Sequence, residues 1–420
     1  MMSGSDVGDA GGFRWSPGFD RKSSKGAEAF IVCLLILSVV VCPALTVGAE
    51  DDLWDTEEES VFVATESVVA EEDSIETDPV PVQPFEYYLI TFRAETEGNP
   101  MWAAAFRDTE GEALVYDVYD NVFFDPDDPS RTQSTVVRGH PDAEEMFLRF
   151  HAGEEEATTI QDLRIQRISR EEARIRVDKI AANLPFVDYV PPRDRWEFIP
   201  RTIEALRGGD ELRIVMLGDS ICNDTSNGLF ELHLMDEWSA DPRIEVITSI
   251  KGSTGCTWYK EENRIDDYAL QYDPDLVVIG GISHSYDVAS IRSVVEQIRD
   301  ASDAEVMVLT GKITPHETVH SRHFWRVEKM KEAEDPDPQK IRELTAKLLR
   351  KAESFPQDLR QMCEENDVEL FDIRSAWDDY MTESWLSRDR IMRDSVHGNR
   401  FGKQIASRLL YRYLSPKTQE

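Results

Sequence analysis

From Glu211 onward, short β-branched runs alternate with amphipathic helical stretches, and this alternation constrains the fold more than any other feature of the chain. Leu212–Leu217, Ile244–Ile250, Leu276–Ile279, Glu305–Leu309 and Val368–Ile373 read as strands. Helical patterns fall between them around Gly228–Trp238, Val288–Ala301 and Lys340–Asn366, with a last one at Gly402–Tyr413. Strands this apolar need both faces covered, and strand–helix alternation supplies the cover. The expected class is therefore α/β, a doubly wound parallel sheet flanked by helices and joined by right-handed crossovers, over residues 210–420.

The first of these runs stops at Gly218-Asp219-Ser220. An apolar strand that ends in a tight turn puts a hydroxyl at the carboxyl edge of the sheet, where open α/β folds place their ligands. Three further segments are expected at the same edge. Lys251-Gly252-Ser-Thr-Gly255 follows the strand ending at Ile250, and Gly280-Gly-Ile-Ser283-His284 follows the strand ending at Ile279. Asp394-Ser-Val-His397 precedes the terminal helix. A hydroxyl, an imidazole and a carboxylate are the parts of a nucleophilic site, and Gly-rich turns let backbone N–H groups approach a developing oxyanion. Taken singly, each is a weak signal, because a strand-end Ser also caps helices.

In this order and at these strand ends, the segments over about 211–415 resemble the SGNH (GDSL-type) hydrolase superfamily. The resemblance implies Ser220 as nucleophile, with Asp219 beside it, His397 as general base and Asp394 as its orienting carboxylate. It implies an oxyanion hole from the N–H of Ser220, a Gly N–H and an Asn side chain. Gly255 matches that Gly, with Gly252 second. The Asn is missing: Ser283 stands in its place, and His284 next to it is the other candidate donor. No metal and no organic cofactor is implied. His316, His320 and His323 cluster elsewhere, without a carboxylate in register, and read as a substrate-facing loop rather than a metal site.

The rest of the chain sets the context. Residues 29–45 are strongly apolar, follow Arg21, Lys22 and Lys25, and precede Val47-Gly48-Ala49. Residues 1–49 thus read as a secretory signal cut after Ala49, or as a retained N-terminal anchor, since about 17 residues is marginal for a bilayer. Residues 50–84 carry thirteen Asp or Glu and no Lys or Arg, which reads as a disordered acidic linker. Five aromatic and β-branched runs between 85 and 169 read as a small antiparallel β-sandwich, with Leu163 and Ile165 on an edge strand. Trp102, Tyr116 and Tyr119 form either a sugar-stacking platform or core. Residues 170–209 read as a connector docked on the second domain.

The net charge of −36 argues against a nucleic-acid partner. A membrane contact is expected only through an uncleaved N-terminal segment. Cys222, Cys256 and Cys363 lie beyond the leader, and Cys222 and Cys256 flank the expected site, either as a disulfide or as two buried thiols. The resemblance, the leader and the appended sandwich together imply a secreted, periplasmic or cell-surface serine esterase that removes O-acyl, chiefly O-acetyl, groups from carbohydrate. Two alternatives stay open. One is a lipid esterase or thioesterase, and the other a degenerate glycan-binding protein without turnover.

Overall fold

In the computed structural model, residues 60–64, 68–70, 74–95, 100–122, 132–151, 158–238, 240–281, 286–311, 330–331, 337–394 and 396–416 are described. Residues 1–49, with the leader expected there, and the histidine trio at 316–323 lie outside them, as do Ser283 and His284. No helix among the described residues is long and apolar enough to cross a membrane.

The N-terminal half builds two antiparallel sheets. Strands β1 (Ser60–Ala64), β2 (Val68–Ala70), β3 (Ser74–Glu76) and β4 (Val80–Pro81) come first. They are followed by β5 (Tyr87–Glu95), β6 (Met101–Arg107), β7 (Ala113–Asn121), β8 (Thr132–Arg138), β9 (Glu145–His151) and β10 (Thr158–Ile168). One sheet runs β1-β10-β5-β8 with β2 also on β10; the other runs β3-β9-β6-β7 with β4 also on β9. Between the sheets lie Ile90, Phe92, Trp102, Phe106, Tyr116, Leu148, Phe150 and Ile165.

Two expectations change here, and one open alternative resolves. The acidic stretch expected to be a linker pairs as strands within 60–81: its Val, Phe and Ile fall in four short runs, and every acid there except Glu76 lies between those runs rather than in them. Val80 and Val82 are buried accordingly. Strand β10 is not an edge; it sits between β5 and the β1–β2 pair, so Leu163 and Ile165 are interior. Trp102 and Tyr116 are core side chains. Trp102 meets Phe92 edge-on at 5.2 Å, and of the three aromatics only Tyr119 stays half-exposed.

Strand β5 is buried on both faces. Tyr88, Ile90 and Phe92 point into the sandwich, while Tyr87 and Leu89 point the other way, toward helices α1 (Arg170–Ala181) and α2 (Pro200–Gly208). Ala173 and Val177 of α1 and Ile203 and Leu206 of α2 join that second cluster, which continues into the α/β half. The connector is thus a packed layer, and the sandwich and the α/β half are one compact unit.

The α/β half follows its expected plan. Strands β11 (Leu212–Gly218), β12 (Ile244–Ile250), β13 (Leu276–Ile279), β14 (Glu305–Leu309) and β15 (Glu369–Phe371) form one parallel sheet in the order β12-β11-β13-β14-β15. Alternate residues feed opposite layers. Ile214 and Met216 pack with α4 (Phe230–Glu237), α9 (Ile373–Ser384) and α11 (Arg400–Leu414). Val215 and Leu217 pack against α5 (Cys256–Tyr259), α6 (Arg264–Tyr268), α7 (Val288–Ala301) and α8 (Pro338–Glu365). Two short helices complete the set: α3 (Ser220–Ser226) and α10 (Arg388–Ile391). Neither they nor α9 were expected from the sequence, and α3 is the one that matters. The strand order reverses between β11 and its neighbours β12 and β13, so the crevice at their carboxyl ends is the topological switch point.

Candidate active site

Asp219 ends the turn after β11 and caps α3, its Oδ1 accepting from the N–H of Ile221 at 2.9 Å. Ser220 is therefore the first residue of the helix, partly exposed at the switch point. The turn is tight because Gly281 follows β13 directly beside it. Gly281 has φ +107°, and a Cβ there would sit 2.3 Å from the Asp219 carboxylate, so both the backbone angle and the space demand glycine. On the other side, Tyr259 is buried and donates its hydroxyl to the Gly218 carbonyl at 2.6 Å while accepting from the Lys251 N–H at 2.8 Å. The turn after β12 is thereby tied to the turn that carries Ser220.

His397 reaches the same point from a loop 177 residues away in sequence, with Nε2 2.7 Å from Ser220 Oγ. Its Nδ1 is 2.6 Å from Asp394 Oδ2. The other carboxylate oxygen, Oδ1, accepts from the backbone N–H groups of Val396 and His397, each at 2.8 Å. One carboxylate thus shapes the loop and aims the ring. Burial alone would raise the Asp394 pKa, but the His397 hydrogen bond and charge and the two backbone donors outweigh it and hold the carboxyl well below the usual range. The loop is pinched at its base, where Arg393 N–H donates to the His397 carbonyl at 2.9 Å and Asn399 N–H to the Ile391 carbonyl at 3.0 Å. Asn399 then caps α11 through Oδ1.

Ser220, His397 and Asp394, nominated from separate segments, therefore form one continuous hydrogen-bonded relay. Gly255 is buried at the N-terminus of α5, whereas Gly252 is exposed in the preceding turn with open space beside it. Neither the Ser220 nor the Gly255 N–H has an acceptor among the described residues. Cys222 and Cys256 are buried thiols not joined as a disulfide, and burial pushes both pKa values up. No three His, Cys, Asp or Glu among the described residues gather as a metal site.

The sequence reading missed Tyr259 and Asp224. Tyr259 acts through its hydroxyl on two backbone groups. Asp224 is a buried carboxylate one turn beyond Ser220 that accepts from Gly398 N–H at 2.9 Å and pairs with Arg393 at 3.0 Å. Its neighbours Asn223, Thr225, Ser226 and Asn227 are polar, so the sequence carries no local signal of its burial.

No protein-family model and no curated protein matches the chain. Among solved structures it is similar to a two-domain esterase active on acetylated mannans, at 13% identity and TM-score 0.36, over 54% of each chain. It thus spans about half the length of that protein. It is also similar to an acetylxylan esterase from Geobacillus stearothermophilus, at 16% identity and TM-score 0.35, over 50% of this chain and 96% of that one. A peptidoglycan O-acetylesterase aligns at 11% identity and TM-score 0.26, over 83% of this chain and 75% of that one. These likenesses are weak, and the geometry of Ser220, His397 and Asp394 bears the functional reading.

Proposed function

We propose that this chain is a serine esterase of the SGNH type that removes O-acyl groups, chiefly O-acetyl, from carbohydrate. The observation that carries the reading is the relay itself: Ser220 Oγ to His397 Nε2 at 2.7 Å and His397 Nδ1 to Asp394 Oδ2 at 2.6 Å. A hydroxyl so placed is activated by the base beside it, and the carboxylate fixes the ring with its proton on Nδ1.

In the proposed reaction, Nε2 takes the Ser220 proton while Oγ attacks the ester carbonyl. The oxyanion of the tetrahedral intermediate faces the N–H groups of Ser220 and Gly255, with Ser283 or His284 as third donor. His397 returns the proton to the leaving alkoxide, giving a free sugar hydroxyl and an acyl-enzyme. Water then repeats the cycle and releases the carboxylic acid. The carbohydrate preference follows the sequence resemblance, and it fits the acetylated substrates named for the mannan and xylan esterases above. Export through the leader at 1–49 belongs to the same proposal.

The test is acetate release from a panel of acetylated polysaccharides and from p-nitrophenyl acetate, with wild type and Ser220→Ala side by side. The reading requires activity in the first and none in the second. A Ser220→Ala protein as fast as wild type sinks it. Release from long-chain acyl esters alone would transfer the protein to lipid substrates. A wild type that neither turns over ester nor reacts with a fluorophosphonate would leave glycan binding without catalysis.

A further inference from the structure

Behind the relay lies a set of buried charges that the proposed chemistry does not use. Asp224 projects from α3, the helix that begins with Ser220, and its side chain is 1% exposed. One of its oxygens accepts from the N–H of Gly398, the residue after His397. The other pairs with Arg393, the residue before Asp394, whose side chain is 5% exposed. Arg393 donates in turn to the Gly398 carbonyl at 3.0 Å and to the Tyr119 carbonyl at 3.2 Å. A single carboxylate on the nucleophile's own helix therefore grips both ends of the loop that carries acid and base.

Tyr119 belongs to β7, an edge strand of its sheet. An edge strand has carbonyls without ladder partners, and here the α/β half supplies the donors. Asn223 donates to the Asp117 carbonyl at 2.7 Å, and Lys403 joins Arg393 on the Tyr119 carbonyl. The backbone N–H of Arg400 donates to Asp120 at 3.2 Å. These contacts fall on α3, on the histidine loop and on the helix that follows it.

We propose that Asp224 and Arg393 are positioning residues that hold His397 in register with Ser220, and that edge strand β7 of the sandwich is the third support of that clamp. The sandwich is then part of the catalytic scaffold rather than an appended module. The inference rests on Ser220 and His397 being the reacting pair. Both clamp residues are too buried to touch a polymeric ester, so their effect has to travel through geometry. A displacement near 1 Å at a reacting group costs up to about 100-fold in rate.

The experiment measures kcat and KM on p-nitrophenyl acetate for Asp224→Asn, Arg393→Met, the double variant and Arg393→Lys, with melting temperatures and with Ser220→Ala as control. Each neutralising single variant should lose about 30-fold or more in kcat with KM within about twofold. The double variant should be no slower than the worse single, since the pair acts as one unit. Arg393→Lys, which keeps the charge but cannot reach every acceptor, should fall between wild type and Arg393→Met. Singles within about threefold of wild-type kcat, or losses that multiply in the double, overturn the clamp. If Arg393→Met does not fold, the lysine variant decides: lower kcat at unchanged melting temperature upholds the clamp, and wild-type kcat refutes it. An active Ser220→Ala would instead indict the assignment of the reacting pair.

Discussion

The ion pair that joins the two halves of the molecule permits a quantitative test. Arg138, at the end of β8, meets Glu231 of α4, and the two side chains are 3% and 0% exposed. Arg138 also donates to Ser226 Oγ at 3.1 Å and to Thr248 Oγ1 at 3.3 Å. Replace Arg138 by Met, and the two hydroxyls still bond each other at 2.6 Å. Glu231 is left with only the Tyr87 hydroxyl, 3.5 Å away, so its charge has no adequate partner. A stranded carboxylate in such a place protonates. The cost at pH 7 is that of neutralising a group whose unfolded pKa is about 4.3, close to 4 kcal/mol at about 1.4 kcal/mol per unit. At pH 5 the same cost is only about 1 kcal/mol, because the unfolded glutamate is itself nearer to taking up its proton.

Urea unfolding followed by tryptophan fluorescence at pH 7 and pH 5 reads both numbers. The Arg138→Met variant should lose about 4 kcal/mol at the higher pH and about 1 at the lower. The double variant Arg138→Met/Glu231→Gln has no carboxylate to strand, so its deficit should be small and nearly independent of pH. A single-variant loss below about 1 kcal/mol at pH 7, or one that does not shrink on acidification, refutes the reasoning.

Three further outcomes follow. Asp394→Asn should lower kcat by about ten-thousand-fold with the fold intact, because the amide no longer fixes the ring with its proton on Nδ1; steady-state kinetics and a melting curve measure the two halves of that statement. Burial pushes the His140 and His233 imidazoles down to about 4, while in the unfolded chain they take up protons from about pH 6.5. Their contribution is thus fully present above pH 6.5 and is lost as the pH falls toward 4, about 3 kcal/mol for each. The difference in urea midpoint between wild type and His140→Gln across pH 7 to 4.5 isolates it from the relief of carboxylate repulsion, and a difference that stays constant contradicts it. Gly281→Ala has to accommodate a Cβ 2.3 Å from Asp219 Oδ1 at φ +107°, so it should cost about 3 kcal/mol and slow fluorophosphonate labelling of the neighbouring Ser220. Wild-type melting and labelling would contradict the packing argument.

How much of this was legible in the sequence depends on how far apart the interacting residues are. Strands β12, β13 and β14 were readable to the residue, because an apolar run bounded by turn residues is a local signal. Ser220, Asp394 and His397 were readable as site candidates because each sits in a short motif at the end of a readable element. The strands within 60–81 were hidden by the acids between them, which dominate the composition of the stretch while the strands themselves hold only Glu76. Strand β8 was missed because its first residues, Thr132-Gln-Ser-Thr135, carry little hydrophobic signal. Whether Trp102 faced solvent or core depended on which partner sheet covered it, and that partner is formed by strands on both sides of it in sequence. Arg138 and Glu231 are 93 residues apart, and Arg393 and Asp224 are 169 apart. Neither pair leaves a local trace, since a buried charge looks like any surface charge until its partner is known. The local motifs therefore name the atoms proposed to react, while the contacts that hold those atoms in place are long-range. A domain boundary drawn from composition passes between Tyr119 and the loop it supports. That is why, on the proposed reading, excising the α/β half at such a boundary should remove part of the support of Ser220 and His397 along with the sandwich.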